Sequence, residues 1–260
     1  MTTIKTNLQE RIAWLAKRLR ILDLANYEGK VDLALSFEEN LLSVLEFTDA
    51  ARTEKSLLRR LKLANLMLSK NFDTFIVDQE TLPDLNLDIL TELKSCQFIN
   101  RKEDVVIIGP SGRGKSHLSM ALGIAAVKKG HKVLFIGADK MLTELHEAKD
   151  SNKLSDKLER LINVDLLIVD ELGYFSFNQE QAAMLFRVIA ARNENSSTIV
   201  TTNLDFGKWP DLINDANLVR AIIDRLTHHG IKLYMNGPES FRLREAKRRL
   251  KNIDKFKADN

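Results

Sequence analysis

The stretch Gly109–Ser116, GPSGRGKS, lies between an apolar run, VVIIG (105–109), and a helical pattern, KSHLSMALGIAAVKKG (115–130). It matches G-x-x-x-x-G-K-[ST] at every fixed position: Gly109, Gly114, Lys115 and Ser116. These residue types suit the holding of phosphate. Glycines let backbone N–H groups close around anionic oxygens, and a helix start adds free donors and partial positive charge. A lysine here reaches the β- and γ-phosphates, and the hydroxyl beside it binds Mg²⁺. The expected nucleotide contacts are Gly109, Pro110, Ser111, Gly112, Arg113, Gly114, Lys115, Ser116 and His117, with Ser116 also a metal ligand.

Outward from the loop, short β-branched runs alternate with helical segments. The runs are VVIIG, KVLFIGA (132–138), VDLLIVDE (164–171), STIVTTN (197–203) and IKLYM (231–235). Nearly continuous apolar runs fit strands buried on both faces, and βα alternation implies a parallel sheet covered by helices. In DLLIVDE an apolar run leads straight into Asp170. That puts its carboxylate at the sheet's carboxyl edge, where open α/β sheets bind ligands, and makes it the second expected metal ligand. Glu171 beside it can orient and polarise water for attack on a γ-phosphate; the plain alternative is a passive glutamate after a strand. Asn203 can bond that water or a phosphate oxygen, or serve only the turn.

The chain before the sheet has another texture. LQERIAWLAKRLRILDLANY places Leu8, Ile12, Leu15, Leu19 and Leu22 at three- and four-residue steps, one apolar helix face. Ser36 and Glu39 have the spacing of a capping box. The stretch NFDTFIVDQETLPDLNLD, broken by Pro83, reads as a linker into a helix near Ile89–Cys96. The predicted domains are a helical N-terminal domain (1–75), an ATPase domain (76–240) and a basic C-terminal tail (241–260).

The net charge is only +3, but it is unevenly spread. Residues 52–72 carry six Lys/Arg against one acid, and residues 241–260 carry eight against three. Such ends suggest a polyanionic partner, or else solvated helix faces. The candidate contacts to such a partner are Arg52, Arg59, Arg60 and Lys62, with Arg248, Arg249 and Lys251 in the tail. Lys/Arg contacts of this kind to phosphates give sequence-independent, salt-sensitive binding. Low aromatic content does not point to single-strand stacking platforms.

A single cysteine, Cys96, excludes an intramolecular disulfide and fits a reducing, cytoplasmic setting. The N-terminal stretch has no apolar core of the signal-peptide kind, and no apolar run approaches the ~18 residues of a membrane span. His228 and His229 diverge as helix neighbours and have no further ligands nearby in sequence, so they read as structural or DNA-facing rather than metal-binding. Trp14 and Trp209 read as core or docking residues.

The segments GPSGRGKSHLSMALG, DLLIVDELGYFSFNQEQAAMLFRVIAAR, STIVTTNLDFGKW, AIIDRLTHHG and ESFRLRE, in this order, closely resemble the IstB-like ATP-binding proteins of insertion-sequence transposons. These are relatives of the helicase loader DnaC within the AAA+ ATPases. SFEENLLSVLEFTDAARTEKSLLRRLKLA extends the resemblance across nearly the whole chain, and DELGY with DRLTHH is its specific part.

The resemblance implies an α/β fold: an AAA+ (ASCE) P-loop NTPase with a five-stranded parallel sheet, a small all-helical N-terminal domain and a short or absent C-terminal lid. The Asn203 strand would lie between the loop strand and the Asp170 strand. It implies that Arg225 completes the catalytic set Lys115, Glu171 and Asn203 by reaching the next subunit's nucleotide, with Arg220 a second candidate. On the residues alone, Arg225 pairs with Asp224 or another local acid. The implied activity is Mg²⁺-dependent ATP hydrolysis by a ring or helical oligomer with ATP at its subunit interfaces. The implied partners are duplex DNA and a DDE transposase encoded alongside. Two positions depart from the pattern. Ser116 stands where Thr is commoner, keeping the hydroxyl, and only 35 residues follow Arg225, which makes a lid-borne arginine doubtful, although Arg242 lies in that stretch. A DnaC-type replicative helicase loader is the alternative function; a small-molecule kinase and a non-hydrolysing ATP-gated scaffold are the rivals from other classes.

Overall fold

The apolar runs form one parallel sheet in the order β2-β3-β4-β1-β5. The computed structural model describes residues 2–77, 82–174, 176–213, 215–238, 240, 241 and 243. The strands are β1 (Val105–Ile108), β2 (Val133–Gly137), β3 (Leu166–Leu172), β4 (Ser197–Thr202) and β5 (Ile231–Tyr234). β4, the strand before Asn203, therefore lies between β1, which feeds the loop, and β3, which carries Asp170. The fold is that of an AAA+ P-loop NTPase.

Helices cover both faces because the central strands are apolar on both. β1 and β4 are buried at every position. Val106, Ile108, Leu167, Val169 and Val200 enter one core with α6 (Ala138–Asp150), α7 (Leu154–Ile162), α8 (Gln179–Arg192) and α9 (Ala216–His228). Trp209 is fully buried in that core, with its ring centroid 5.3 Å from that of Phe206. α5 (Lys115–Lys128) packs on β2, β3 and β4, with α3 (Leu87–Lys94) against it. α3 is capped by Asn86, whose side chain accepts from the amides of Asp88 and Ile89, and α4 (Gln97–Asn100) follows.

The amino edge of the sheet is tied by one buried guanidinium. Arg192 donates from Nη1 to the carbonyls of Leu161 (2.8 Å), Ile162 (3.0 Å) and Val164 (3.0 Å), from Nη2 to that of Ser197, and from Nε to Thr198 Oγ1 (3.1 Å). The Asp104 carboxylate accepts the Thr198 amide at 2.6 Å. Burial pushes Asp104 up to about 7, against the smaller opposing effect of the Thr198 hydrogen bond, and pushes Arg192 down to about 10.

The chain divides into two compact units, Met1–Arg60 and Leu61–Asn260, with the division inside α2 (Phe37–Leu63). In the first unit, α1 (Thr2–Arg18) and a 3₁₀ segment (Leu22–Lys30) precede α2. The capping box forms as its spacing predicts: the Glu39 amide donates to Ser36 Oγ at 3.2 Å, and the Ser36 amide to Glu39 Oε2 at 2.8 Å. The expected apolar face of α1 is only partly inside. Ala16 is buried, while Leu15, Leu19 and Leu22 are exposed. A unit of about 60 residues buries too little of its surface to enclose them all. Trp14 is 48% exposed, with the Arg11 and Arg18 guanidinium groups over its ring.

Residues 61–75, grouped by sequence with the helical domain, belong to the sheet unit: the Ala64 carbonyl accepts the Phe135 amide at 2.9 Å. Arg52, Arg59 and Lys62 are exposed on α2 at helical spacing, whereas Arg60 is half-buried. Lys55, between them, pairs with Asp23. Arg242, Arg248, Arg249 and Lys251 lie outside the described residues.

Candidate nucleotide site

The loop 109–116 turns directly off β1 into α5, so the free amides of that helix face the loop interior. Gly109 is required by close approach: a Cβ there would stand 2.5 Å from the Met235 carbonyl oxygen. Gly112 and Gly114 have φ of 77° and 87°, left-handed values that favour glycine. The Lys115 ammonium donates to the carbonyls of Gly109 (2.6 Å) and Pro110 (2.9 Å). The chain leaving β5 then crosses the loop. The Met235 amide donates to Ile108, Arg113 to the Gly237 carbonyl, and the Phe241 amide to the Gly112 carbonyl at 3.0 Å.

An open cleft of about 390 Å³ lies over this loop. Its lining includes Ser111, Gly112, Arg113, Gly114, Lys115, Ser116 and His117, together with Glu171. Gly109 and Pro110 form the loop's base through the carbonyls that hold Lys115.

β3 and β4 slip register between Val169 and Leu172, and Glu171 sits at the slip with φ 61°. A left-handed conformation costs a non-glycine residue on the order of 1–3 kcal/mol. It turns the exposed Glu171 toward the cleft while Asp170 stays buried. Thr201 of β4 joins the two: its Oγ1 donates to the Asp170 carboxylate and accepts the Glu171 amide at 2.9 Å. Asn203 follows β4, and its Oδ1 is buried without a hydrogen-bond partner among the described residues. An acceptor left so is costly unless a ligand or water serves it.

Arg225 is outside this cleft. It is half-buried on α9, donates to the Ala221 carbonyl at 2.9 Å and stacks on Phe186, 4.7 Å from the ring centroid. Among the described residues it makes no ion pair with Asp224; its own helix and an aromatic face hold it instead. Arg220 is exposed on the same helix.

Several lining residues carried no sequence signal. A small, mostly apolar pocket of about 40 Å³ adjoins the loop, lined by Thr74, Phe75, Ile76 and Leu82 as well as by Arg113, Gly114, His117 and Phe241. Phe75 and Ile76 fall in the stretch read as a linker. His117 Nε2 lies 3.0 Å from the Asn71 carbonyl and 3.2 Å from Thr74 Oγ1. Burial lowers the His117 pKa, which favours the neutral ring, and the ring meets Phe75 edge to face at 5.3 Å. Lys70 and Tyr174 also face the larger cleft.

The sequence profile of the IstB-like ATP binding protein family matches residues 19–249. The chain belongs to this family. Among its relatives, the ATP-binding protein of insertion sequence IS21 from Pseudomonas aeruginosa is 37% identical over 82% of this chain and 80% of its own length. That of insertion sequence IS5376 from Geobacillus stearothermophilus is 37% identical over 81% and 83%. Among solved structures, the DnaC helicase loader superposes with a TM-score of 0.54 at 22% identity, over 65% of this chain and 97% of that one. AMPPCP-bound DnaA from Aquifex aeolicus gives 0.56 at 21%, over 73% of this chain but only 57% of the DnaA chain. These likenesses speak to the fold alone. No helix among the described residues is long and apolar enough to cross a membrane.

Proposed function

We propose that this IstB-like protein is a Mg²⁺-dependent ATPase of the bacterial cytosol that assembles on duplex DNA and recruits or stimulates a DDE transposase. The observation that carries the reading is Glu171, turned by its strained backbone into the cleft that holds Lys115, with Asp170 fixed beside it through Thr201. A nucleotide binder that does not hydrolyse has no need of a second carboxylate at that place.

The residues present fit ATP with a divalent ion. The left-handed Gly112 and Gly114 let the loop close on itself, Asn203 Oδ1 has no hydrogen-bond partner among the described residues, and Asp170 offers a buried carboxylate. Ser116 and Asp170 would hold the ion, which when bound offsets the charge that develops on the phosphates. Lys115 exchanges loop carbonyls for phosphate oxygens, Asn203 and Glu171 orient water, and Glu171 accepts its proton. Phe75 and Ile76, beside the loop, offer an apolar surface against which the base can pack. Arg225 leaves Phe186 to serve the nucleotide of an adjoining subunit, which makes the functional unit a head-to-tail oligomer. Arg52, Arg59, Arg60 and Lys62, with Arg248, Arg249 and Lys251, supply phosphate contacts.

The experiment is duplex-DNA binding by anisotropy, with light scattering in parallel, for wild type and Glu171→Gln with ATP, ADP or neither. Large salt-sensitive complexes that form with ATP and persist in the variant support the reading. A monomer indifferent to DNA in every state overturns it. The DnaC helicase loader is the alternative on fold grounds. The insertion-sequence relatives favour transposition, and a pull-down with transposase or replicative helicase separates the two.

A further inference from the structure

Two turns at the amino edge of the sheet, away from the phosphate loop, bring three donors together. Glu194 follows α8 in a left-handed turn, φ 61°. His228 closes α9, and His229 caps it with φ −120° and ψ 29°. A nitrogen of each ring and a carboxylate oxygen of Glu194 all lie within 4.8 Å of one another, and the three residues are exposed. It is the only such group of His, Cys, Asp or Glu among the described residues.

By sequence alone, neighbouring helical histidines diverge and lack a third ligand. Both points fall. His229 leaves the helical path, so the two rings stand edge to face with centroids 4.2 Å apart. Glu194, remote in sequence, supplies the carboxylate because α8 and α9 pack together and each ends just before a parallel strand, β4 or β5. Two helix C-termini meet at this spot, and their partial negative charge favours a cation.

We propose that Glu194, His228 and His229 form a site for a borderline divalent transition metal, for which Zn²⁺ is the probe. Two imidazoles and a carboxylate are a zinc donor set, whereas Mg²⁺ prefers oxygen ligands alone. Zn–N and Zn–O bonds of about 2.0–2.2 Å require the donors to draw slightly closer, which exposed side chains allow. The metal clips the turn after α8 to the turn after α9. It thereby fixes the helix pair in which Arg225 stacks on Phe186. Nothing in the site depends on the nucleotide reading.

The test uses the full chain, stripped with a chelator and dialysed. Zn²⁺ and Mg²⁺ are titrated by calorimetry, and the thermal midpoint is followed. The expected result is one Zn²⁺ per chain, a raised midpoint, no response to Mg²⁺, and at least about tenfold weaker zinc binding in Glu194→Gln, His228→Ala and His229→Ala. Circular dichroism checks that the variants, all at exposed positions, are folded. Zinc affinity unchanged in Glu194→Gln and His228→Ala, or no saturable binding at all, overturns the proposal.

Discussion

Thr201 is hydrogen-bonded to Asp170 from the neighbouring strand, and the same hydroxyl receives the amide of Glu171. One buried oxygen thus ties the Asp170 carboxylate to the Glu171 backbone. Thr201→Val keeps the shape and removes both bonds. Supporting hydrogen bonds of this kind are worth about 10–100-fold in activity. ATP turnover should fall by that factor with ATP affinity largely kept, and Thr201→Ser should restore most of it. Turnover assays and binding of a fluorescent ATP analogue measure the two. An equal loss of affinity in both variants would make Thr201 a plain core residue.

Arg225 serves its own chain in this structure, through Ala221 and Phe186. If it also serves a neighbour, Arg225→Ala should lower turnover by on the order of 10³-fold, as an arginine finger does. Lys115→Ala should be inactive for want of phosphate binding. Mixing the two inactive variants should regain activity, because a hybrid interface joins an intact loop to an intact arginine. No recovery on mixing counts against action between subunits.

Asp104 predicts a pH dependence of stability. Burial raises its carboxyl from 3.8 to about 7. The folded chain then holds a proton that the unfolded chain has released, so this stabilisation is complete below 3.8 and is lost as pH rises through about 7. Arg192, lowered to about 10, changes charge above this window. The thermal midpoint should therefore decline across that interval, and Asp104→Asn, which still accepts from Thr198, should flatten the decline. Calorimetry across the pH range tests it; an unaltered slope places the titration elsewhere.

Gly109→Ala should impair the loop without unfolding the sheet. The added Cβ meets Met235 backbone at 2.5 Å, and a backbone neighbour cannot rotate away. ATP affinity is expected to drop at least about tenfold, the loop being displaced, with a loss of stability within the 1–3 kcal/mol usual for overpacking. Isothermal binding and chemical denaturation report the two effects separately.

The loop and the strands were legible in sequence because their signals are local: fixed glycines before Gly-Lys-Ser, and β-branched runs too short for helices. Strand ends fell within two residues of those read from the runs. The left-handed Glu171 was not legible, since no glycine marks the register slip that creates it. Thr201 was hidden in an apolar run, and its role needs the β3–β4 register. Phe75 and Ile76 show no period because they line a cavity rather than a helix face. Arg225 looked ready for an acid, and only tertiary packing could bring Phe186 to it.

The chain that leaves β5 passes over the phosphate loop. The Phe241 amide rests on the Gly112 carbonyl, and Arg113 grips Gly237. Phe241 is also the first residue of the stretch that carries eight Lys/Arg. The most basic stretch of the sequence thus begins on the glycine-rich loop. Gly112 and Arg113 anchor the start of that basic stretch to the loop itself.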